Sequence, residues 1–521
     1  MRHATAPAYP RHPWKKGLYC KSTGLSWRCN QPKGRPILKP LYIALATLLA
    51  GCAAFNTPLN TALLTGQNQP LVEVTDATIG DGEVYVGLAF SGGGMRASAF
   101  AYGMTEALRE TGISAETPNG LLDHVRLVSG VSGGSVTAAQ LGLWGPSGLQ
   151  GYRERYLLTN AETYMANSLL NPLTVIRGLS GGANGRTTFG RYIDEVLFKG
   201  ATFGDLRKRS RIKTWINATD IANSTPFVFT PETFDALCSD LSRFPISEAV
   251  AASAAFPLVF SPVVLEVHQS KCKYQEPDWL TAARFNPEAT AVMRAHARAL
   301  ESYADPEKVK FVKLLDGGVT DNYGTTALAV ERARAAVPYA PMSAEEAVRL
   351  KRLLVLVADA GVQADYSWTQ SVKGPSGLGL GAAIASASIS SATRSGYDAM
   401  RGEIRRWQED LIEWRCALPA AEVRRLRGKS GAWDCADVKL FVGMANFDGV
   451  DAPMRKALNK VPTRLRLSAD EVDLVIEAGR IATKNAPEFN GFVQSLDGND
   501  VDARIKAGIA IGGRRVVPVG Q

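Results

Sequence analysis

Histidine is scarce in this chain: of five in 521 residues, only His124, His268 and His296 follow the first 51. His124 precedes an apolar run, His268 stands beside Cys272 in a polar stretch, and His296 lies in an Ala/Arg-rich stretch. None sits at a glycine turn after a strand-like run, so a Ser-His-Asp triad lacks an obvious base. Cys-x-x-Cys pairs and histidine clusters are missing too, and with them any metal motif. Acid is absent from residues 1–51, which hold nine Lys and Arg; from Cys52 onward the chain carries 50 basic and 50 acidic residues. The formal charge of +9 therefore belongs to the leader, and nucleic acid is excluded as the partner of the body. Long apolar runs are lacking as well. "LYIALATLLAGC" offers about ten apolar residues, too few to span a bilayer and suited to a signal h-region. The uncharged stretch 374–393 is mostly Gly, Ala and Ser. It reads as a mobile flap or loosely packed segment near the site, rather than a membrane span.

Leu49-Ala50-Gly51-Cys52 resembles the bacterial lipobox, in which the Cys becomes the first mature residue and carries lipid. The resemblance implies a lipoprotein signal peptide over residues 1–51 and a lipidated Cys52. With Ala53 next, it implies anchoring in the bacterial cell envelope, at the outer membrane facing the periplasm. A plain signal peptide, or a buried helix with a chance Cys, is the alternative. Residues 52–80 read as a polar tether. Cys238, Cys272, Cys416 and Cys435 permit two disulfides in three connectivities, neighbouring pairs being the simplest.

The body alternates short apolar runs with glycine turns and helical stretches. "VYVGLAF" (84–90) ends at Gly92-Gly93-Gly94 and leads into "MRASAFAYGMTEALRE"; "HVRLVSG" ends at Ser132 and leads into "SVTAAQLGLW". "KFVKLLDGG" and "RLLVLVADAG" also end in Asp and Gly. This order predicts a parallel sheet with helices on its faces, and ligands beyond the carboxyl ends of its strands. From about residue 400 the pattern changes to a charged amphipathic helix, "RGEIRRWQEDLIEW", a strand in "VKLFVGMANFDG", and a helix opened by a capping box at Ser468 and Glu471.

Ester hydrolysis needs an activated nucleophile, a base, and donors for an oxyanion. Gly130-Val131-Ser132-Gly133-Gly134 places a serine between strand and helix, where a sharp turn lifts the hydroxyl and the Gly133 N–H faces an oxyanion. Gly92, Gly93 and Gly94 let backbone amides crowd a small anion. No Gly-Lys-Ser/Thr follows, and the spacing is not that of a dinucleotide loop, so an oxyanion loop is the better reading. Arg96 would support that loop or contact substrate. Asp316, ending a strand before Gly317 and Gly318, can act directly as a base on a serine hydroxyl. Asp359 is a competing acid without the Asp-Gly-Gly pattern, and Asp220 reads as structural.

"FSGGGMRASAF", "SGVSGGS" and "LLDGGVTDN" together resemble the patatin-like phospholipases, and the blocks are similar to those of the cytosolic phospholipase A family. "NATDIANSTPFVFT" (217–230) and "ASAAFPLVFSP" (252–262) resemble further blocks. The resemblance implies a three-layer α/β/α fold with a mostly parallel central sheet and a helical C-terminal extension. It implies a Ser132–Asp316 dyad without histidine, an oxyanion hole from Gly92, Gly93, Gly94 and Gly133, and no metal or organic cofactor. Where that family often has Pro after the Asp-Gly-Gly turn, this chain has "NYGTT". The implied domains are a catalytic one over 81–400 and an extension over 401–521 packed on it. The implied substrate is a phospholipid or lysophospholipid. A carboxylesterase, thioesterase or acyltransferase on the same dyad, or a non-catalytic lipoprotein that binds lipid or protein, remain as alternatives.

Overall fold

The structure is a computed structural model that describes residues 20–23, 26–29, 56–63, 82–112, 117–165, 184–185, 188–257, 259–287, 289–335, 337–363, 366–370 and 372–496. Cys52 and the apolar run before it lie outside the described residues. The chain divides into one unit over Met1–Cys52 and a second over Ala53–Gln521. In the first, β1 (Cys20–Thr23) and β2 (Ser26–Cys29) pair antiparallel.

The second unit is built on one eight-stranded sheet. Its strands are β3 (Val84–Phe90), β4 (Val125–Val131), β5 (Lys213–Asp220), β6 (Thr225–Val228), β7 (Val263–Glu266), β8 (Phe311–Asp316), β9 (Arg352–Ala358) and β10 (Lys439–Ala445). They stand in the order β10-β9-β3-β4-β5-β8-β7, with β6 also on β5. From β10 to β5 every pairing is parallel. The sheet is mostly parallel, as expected, but β8 runs antiparallel to β5, and β7 antiparallel to β8. An apolar run ending in Asp-Gly-Gly looks alike in either direction; the connection, not the strand, sets the direction.

Helices cover both faces, and the pleat decides which side chains meet them. Along β9, Leu354, Leu356 and Ala358 enter one core while Leu353, Val355 and Val357 enter the other. This period of two in an all-apolar strand is what a sheet buried on both sides requires. The first core holds α1 (Gly94–Glu110), α2 (Gly133–Trp144), α3 (Ile246–Ser253) and, from the far end of the chain, a helix over Ala469–Asn485. The second core holds α4 (Leu378–Ala417) through Met400, Ile404, Trp407 and Leu411. The Ala469–Asn485 helix, α5, opens with the expected Ser468–Glu471 capping box. It presses onto α1 where a Cβ on Gly103 would lie 2.0 Å from the Ile476 carbonyl oxygen, and one on Gly479 2.2 Å from that of Phe100. Only glycine permits this approach.

Three expectations change. Stretch 374–393, read as a flap or loosely packed segment, is helical from Leu378 as the N-terminal part of the 40-residue α4, and most of its side chains are exposed. Ala and Ser permit that helix. A boundary at residue 400 falls inside α4, and β10 completes the same sheet, so the C-terminal part is continuous with the core. Part of the supposed tether is docked. Asn56 donates to the Ser261 and Pro262 carbonyls, and Asn60 to the Glu266 carbonyl while accepting from its N–H. These asparagines satisfy backbone groups at the sheet edge formed by β7. The disulfides pair neighbours, Cys238 with Cys272 and Cys416 with Cys435.

Candidate active site

Ser132 occupies the single residue between β4 and α2, with φ 52° and ψ −125°. A side chain at positive φ is strained, at roughly 1–3 kcal/mol, and persists only where its surroundings hold it. They do so here. Its N–H donates to Ser253 Oγ at 2.8 Å, and Ser253 Oγ donates to the Asn217 carbonyl at 2.6 Å. Its carbonyl accepts from the Ser135 N–H and hydroxyl at 3.0 and 2.6 Å. The flanking glycines leave no room for side chains. A Cβ on Gly130 would lie 2.6 Å from that of Ala138, and one on Gly133 1.9 Å from the Gly94 carbonyl oxygen. Strand, strained serine and helix N-terminus are thus locked together by close packing.

Asp316 reaches this turn because β8 is antiparallel. β5 extends beyond β4, whose last residue Val131 pairs with Asn217. β8 enters from the far end of β5 and stops with Asp316 opposite Ala218, one residue from that level. The carboxyl is 3% exposed. Burial raises it from 3.8 to about 6, against hydrogen bonds from the Ser132 side chain and the Gly318 N–H. The Gly318 N–H lies 2.9 Å from Oδ1. A neutral-poised carboxylate facing a serine hydroxyl can take up and return a proton near neutral pH.

The glycine loop packs against the same serine. A Cβ on Gly92 would lie 3.2 Å from Ser132 Cβ. Gly93 and Gly94 have φ of 143° and 62°, which carry the chain from β3 into α1. The Gly92 N–H donates to Asn322 Oδ1 at 3.1 Å, so its one proton is taken. The amides of Gly94 and Gly133 are the first of their helices and have no intrahelical acceptor. Asn322, not singled out from the sequence, joins the two halves of the site: its Oδ1 lies 2.8 Å from where a Cβ on Gly318 would be. It sits in "NYGTT", the stretch that departs from the family pattern. Ser253 lies within the quoted "ASAAFPLVFSP" block, but nothing in the sequence ties it to Ser132.

Arg96 is buried and held by backbone carbonyls. It is 3% exposed, donating from Nε to the Ala360 carbonyl at 3.0 Å and from Nη1 to that of Val461 at 2.6 Å. Burial lowers it to about 10. The neighbouring Met95 N–H donates to the Arg464 carbonyl, so the C-terminal chain also braces the loop. Asp359 is engaged elsewhere, accepting from Tyr323 Oη at 3.0 Å and from the Gly361 N–H at 2.9 Å. Asp220 is tied to Tyr303 and Asn223. His124 lies at the start of β4, the end away from Ser132. His296 stacks on Trp279, with burial lowering it to about 4. His268 faces the Asn60 carbonyl. On the α4 side of the Asp-Gly-Gly turn, Ile389 lies 3.5 Å from where a Cβ on Gly318 would be, and Ser388 donates to the Val319 carbonyl.

The family model described as patatin-like phospholipase matches residues 88–329. These residues form a patatin-like phospholipase domain. That patatin-like domain contains Ser132, Asp316, Asn322 and the glycine loop, while α4 and α5 lie beyond it. Among solved structures the chain is similar to human GIVD cytosolic phospholipase A2, at 13% identity and a TM-score of 0.35, covering 80% of this chain and 60% of that one. It is also similar to VipD from Legionella pneumophila, at 13% identity and a TM-score of 0.29, covering 87% of this chain and 73% of that one. The chain thus spans about 60% of the length of the human enzyme it matches. No curated protein matches it.

Proposed function

We propose that the protein is a serine lipid acyl hydrolase of phospholipase A or lysophospholipase type, using Ser132 and Asp316 as a dyad. The observation that carries this reading is the strained Ser132 set against a buried carboxyl raised to about 6. Asp316 accepts the Ser132 proton as Oγ attacks the ester carbonyl carbon. The Gly93, Gly94 and Gly133 amides hold the oxyanion. Collapse expels the alcohol oxygen, which takes the proton from Asp316 and leaves an acyl-Ser132. Water then attacks the acyl carbon and gives Asp316 a proton. Fatty acid leaves as Ser132 regains that proton. These groups complete the cycle without a cofactor.

A lipid substrate fits the surroundings. Tyr366, Trp368, Val372, Leu380 and Ile384 are exposed on the segment that leads to Ile389. Amphipathic aromatics among apolar residues suit a lipid–water interface. Among the described residues no helix is long and apolar enough to cross a membrane. We assign attachment to a lipidated Cys52, and the location to the periplasmic face of the outer membrane. Two disulfides fit an oxidising compartment.

The test is fatty-acid release from mixed phospholipid vesicles by wild type, Ser132→Ala and Asp316→Asn. Release by wild type alone is expected. Full activity in Asp316→Asn overturns the dyad. Transfer of the acyl group to an alcohol in place of water makes the protein an acyltransferase instead.

A further inference from the structure

A cavity of about 380 Å³ opens at the end of the sheet away from Ser132. It lies where β3, β9 and β10 begin, under the loop that the Cys416–Cys435 disulfide fastens to the end of α4. Arg349, Lys351, Arg415, Arg427 and Lys429 line it, against Glu83, Asp434 and Asp437. The lining thus holds five cations and three carboxylates. Asp437 is paired with Arg352, outside the lining, at 2.7 Å. Glu83 is shared between Lys351 at 2.7 Å and Lys429 at 3.5 Å. Among the described residues no carboxylate is within ion-pair distance of Arg415 or Arg427; both donate only to carbonyls.

Arg415 is the decisive group. It is 1% exposed, and its guanidinium lies 5.1 Å from the centre of the Trp433 ring, which also lines the cavity. Its Nε is buried with no hydrogen-bond partner. Asp437 and Asp434 act on it through space without pairing with it, and a buried guanidinium with no ion-pair partner is costly, so a further negative charge in the cavity favours it. Arg427 and Lys429 add cationic donors to the lining, and these suit the several oxygens of a phosphate. The volume exceeds that of a bare phosphate and falls in the range of small-molecule sites, about 300–1,000 Å³.

We propose that this cavity binds a small, water-soluble molecule bearing a phosphate, at a site separate from the acyl-transfer centre. The choice of a soluble source rests on the lipid hydrolase reading. Strands of seven residues, at roughly 3.3 Å each, separate the cavity from the glycine loop by more than 20 Å, so a site facing lipid turns this cavity toward water.

Isothermal titration of the full chain with inorganic phosphate and with glycerol 3-phosphate tests this, comparing wild type with Arg427→Gln/Lys429→Gln and with Arg415→Gln. Saturable binding is expected, tighter for glycerol 3-phosphate. The double variant should bind at least tenfold more weakly, with an unchanged melting midpoint in the absence of ligand. Arg415→Gln is read only if it folds; the double variant decides if it does not. No saturable binding by wild type, or equal binding by the double variant, overturns the site. Displacement of bound phosphate by phosphatidylglycerol vesicles, but not by glycerol 3-phosphate, overturns the soluble source and makes the ligand a lipid headgroup. Binding is read without turnover, so an inactive Ser132 leaves the result unaffected.

Discussion

Replacing Asp316 by Asn should destroy activity and, above neutral pH, make the protein more stable. The carboxyl is buried, and its rise from 3.8 to about 6 means the folded chain holds that proton more tightly than the unfolded chain. At about 1.4 kcal/mol per pH unit, two units amount to roughly 3 kcal/mol. The sign follows from proton binding. Between about pH 4 and 6 the folded state carries more proton than the unfolded, so wild-type stability falls as pH rises through that window. Asn stays neutral, keeps the shape, and still offers Oδ1 to the Gly318 N–H. The two proteins should match at about pH 4, and the variant should lead by up to about 3 kcal/mol at about pH 8. In thermal melts that is a gain of the order of a few degrees in a chain of this size. Urea midpoints at the two pH values provide a second reading. A stability difference that does not change with pH refutes the reasoning, since Asp316 would then be no lone buried base. The same titration predicts wild-type kcat/KM rising with pH through about 6, as Asp316 loses its proton.

Ser132→Gly should be more stable than Ser132→Ala by about 1–2 kcal/mol, because only glycine is at ease at φ 52°; equal denaturation midpoints would contradict the strain. Asn322→Ala leaves the Gly92 N–H without its acceptor and should cost roughly 1–3 kcal/mol in stability. It should also lower kcat about tenfold with KM little changed, and a change in KM alone would make Asn322 a binding group. Trp368→Ser/Ile384→Ser should reduce release from vesicles several-fold yet leave turnover of a short, soluble ester intact. Parallel loss on both substrates would place these side chains inside the folded core.

The site was legible where chemistry forces a local pattern. A strained serine between strand and helix needs glycines around it, and Gly130, Gly133 and Gly134 sit where other side chains would strike Ala138, Gly94 and Ser91. The Asp-Gly-Gly turn was legible for the same reason. What the sequence hid depends on distant partners. The direction of β8 is invisible in "FVKLLD", yet it brings Asp316 to the level of Ser132. Asn322 acts on Gly92 across 230 positions, and Ser253 on Ser132 across 121. Arg96 read equally well as a substrate contact or a brace until Ala360 and Val461 occupied it. The glycine- and serine-rich 374–393 stretch has weak helical propensity of its own. It is helical as the continuation of the amphipathic Met400–Leu411 segment, whose apolar face is buried.

The most direct test of the central claim is mass-spectrometric mapping of an alkyl fluorophosphonate reacted with the full chain. The account predicts one phosphonylated residue, Ser132, with labelling abolished in Ser132→Ala and slowed in Asp316→Asn. Labelling at another residue, or undiminished labelling in Ser132→Ala, contradicts it.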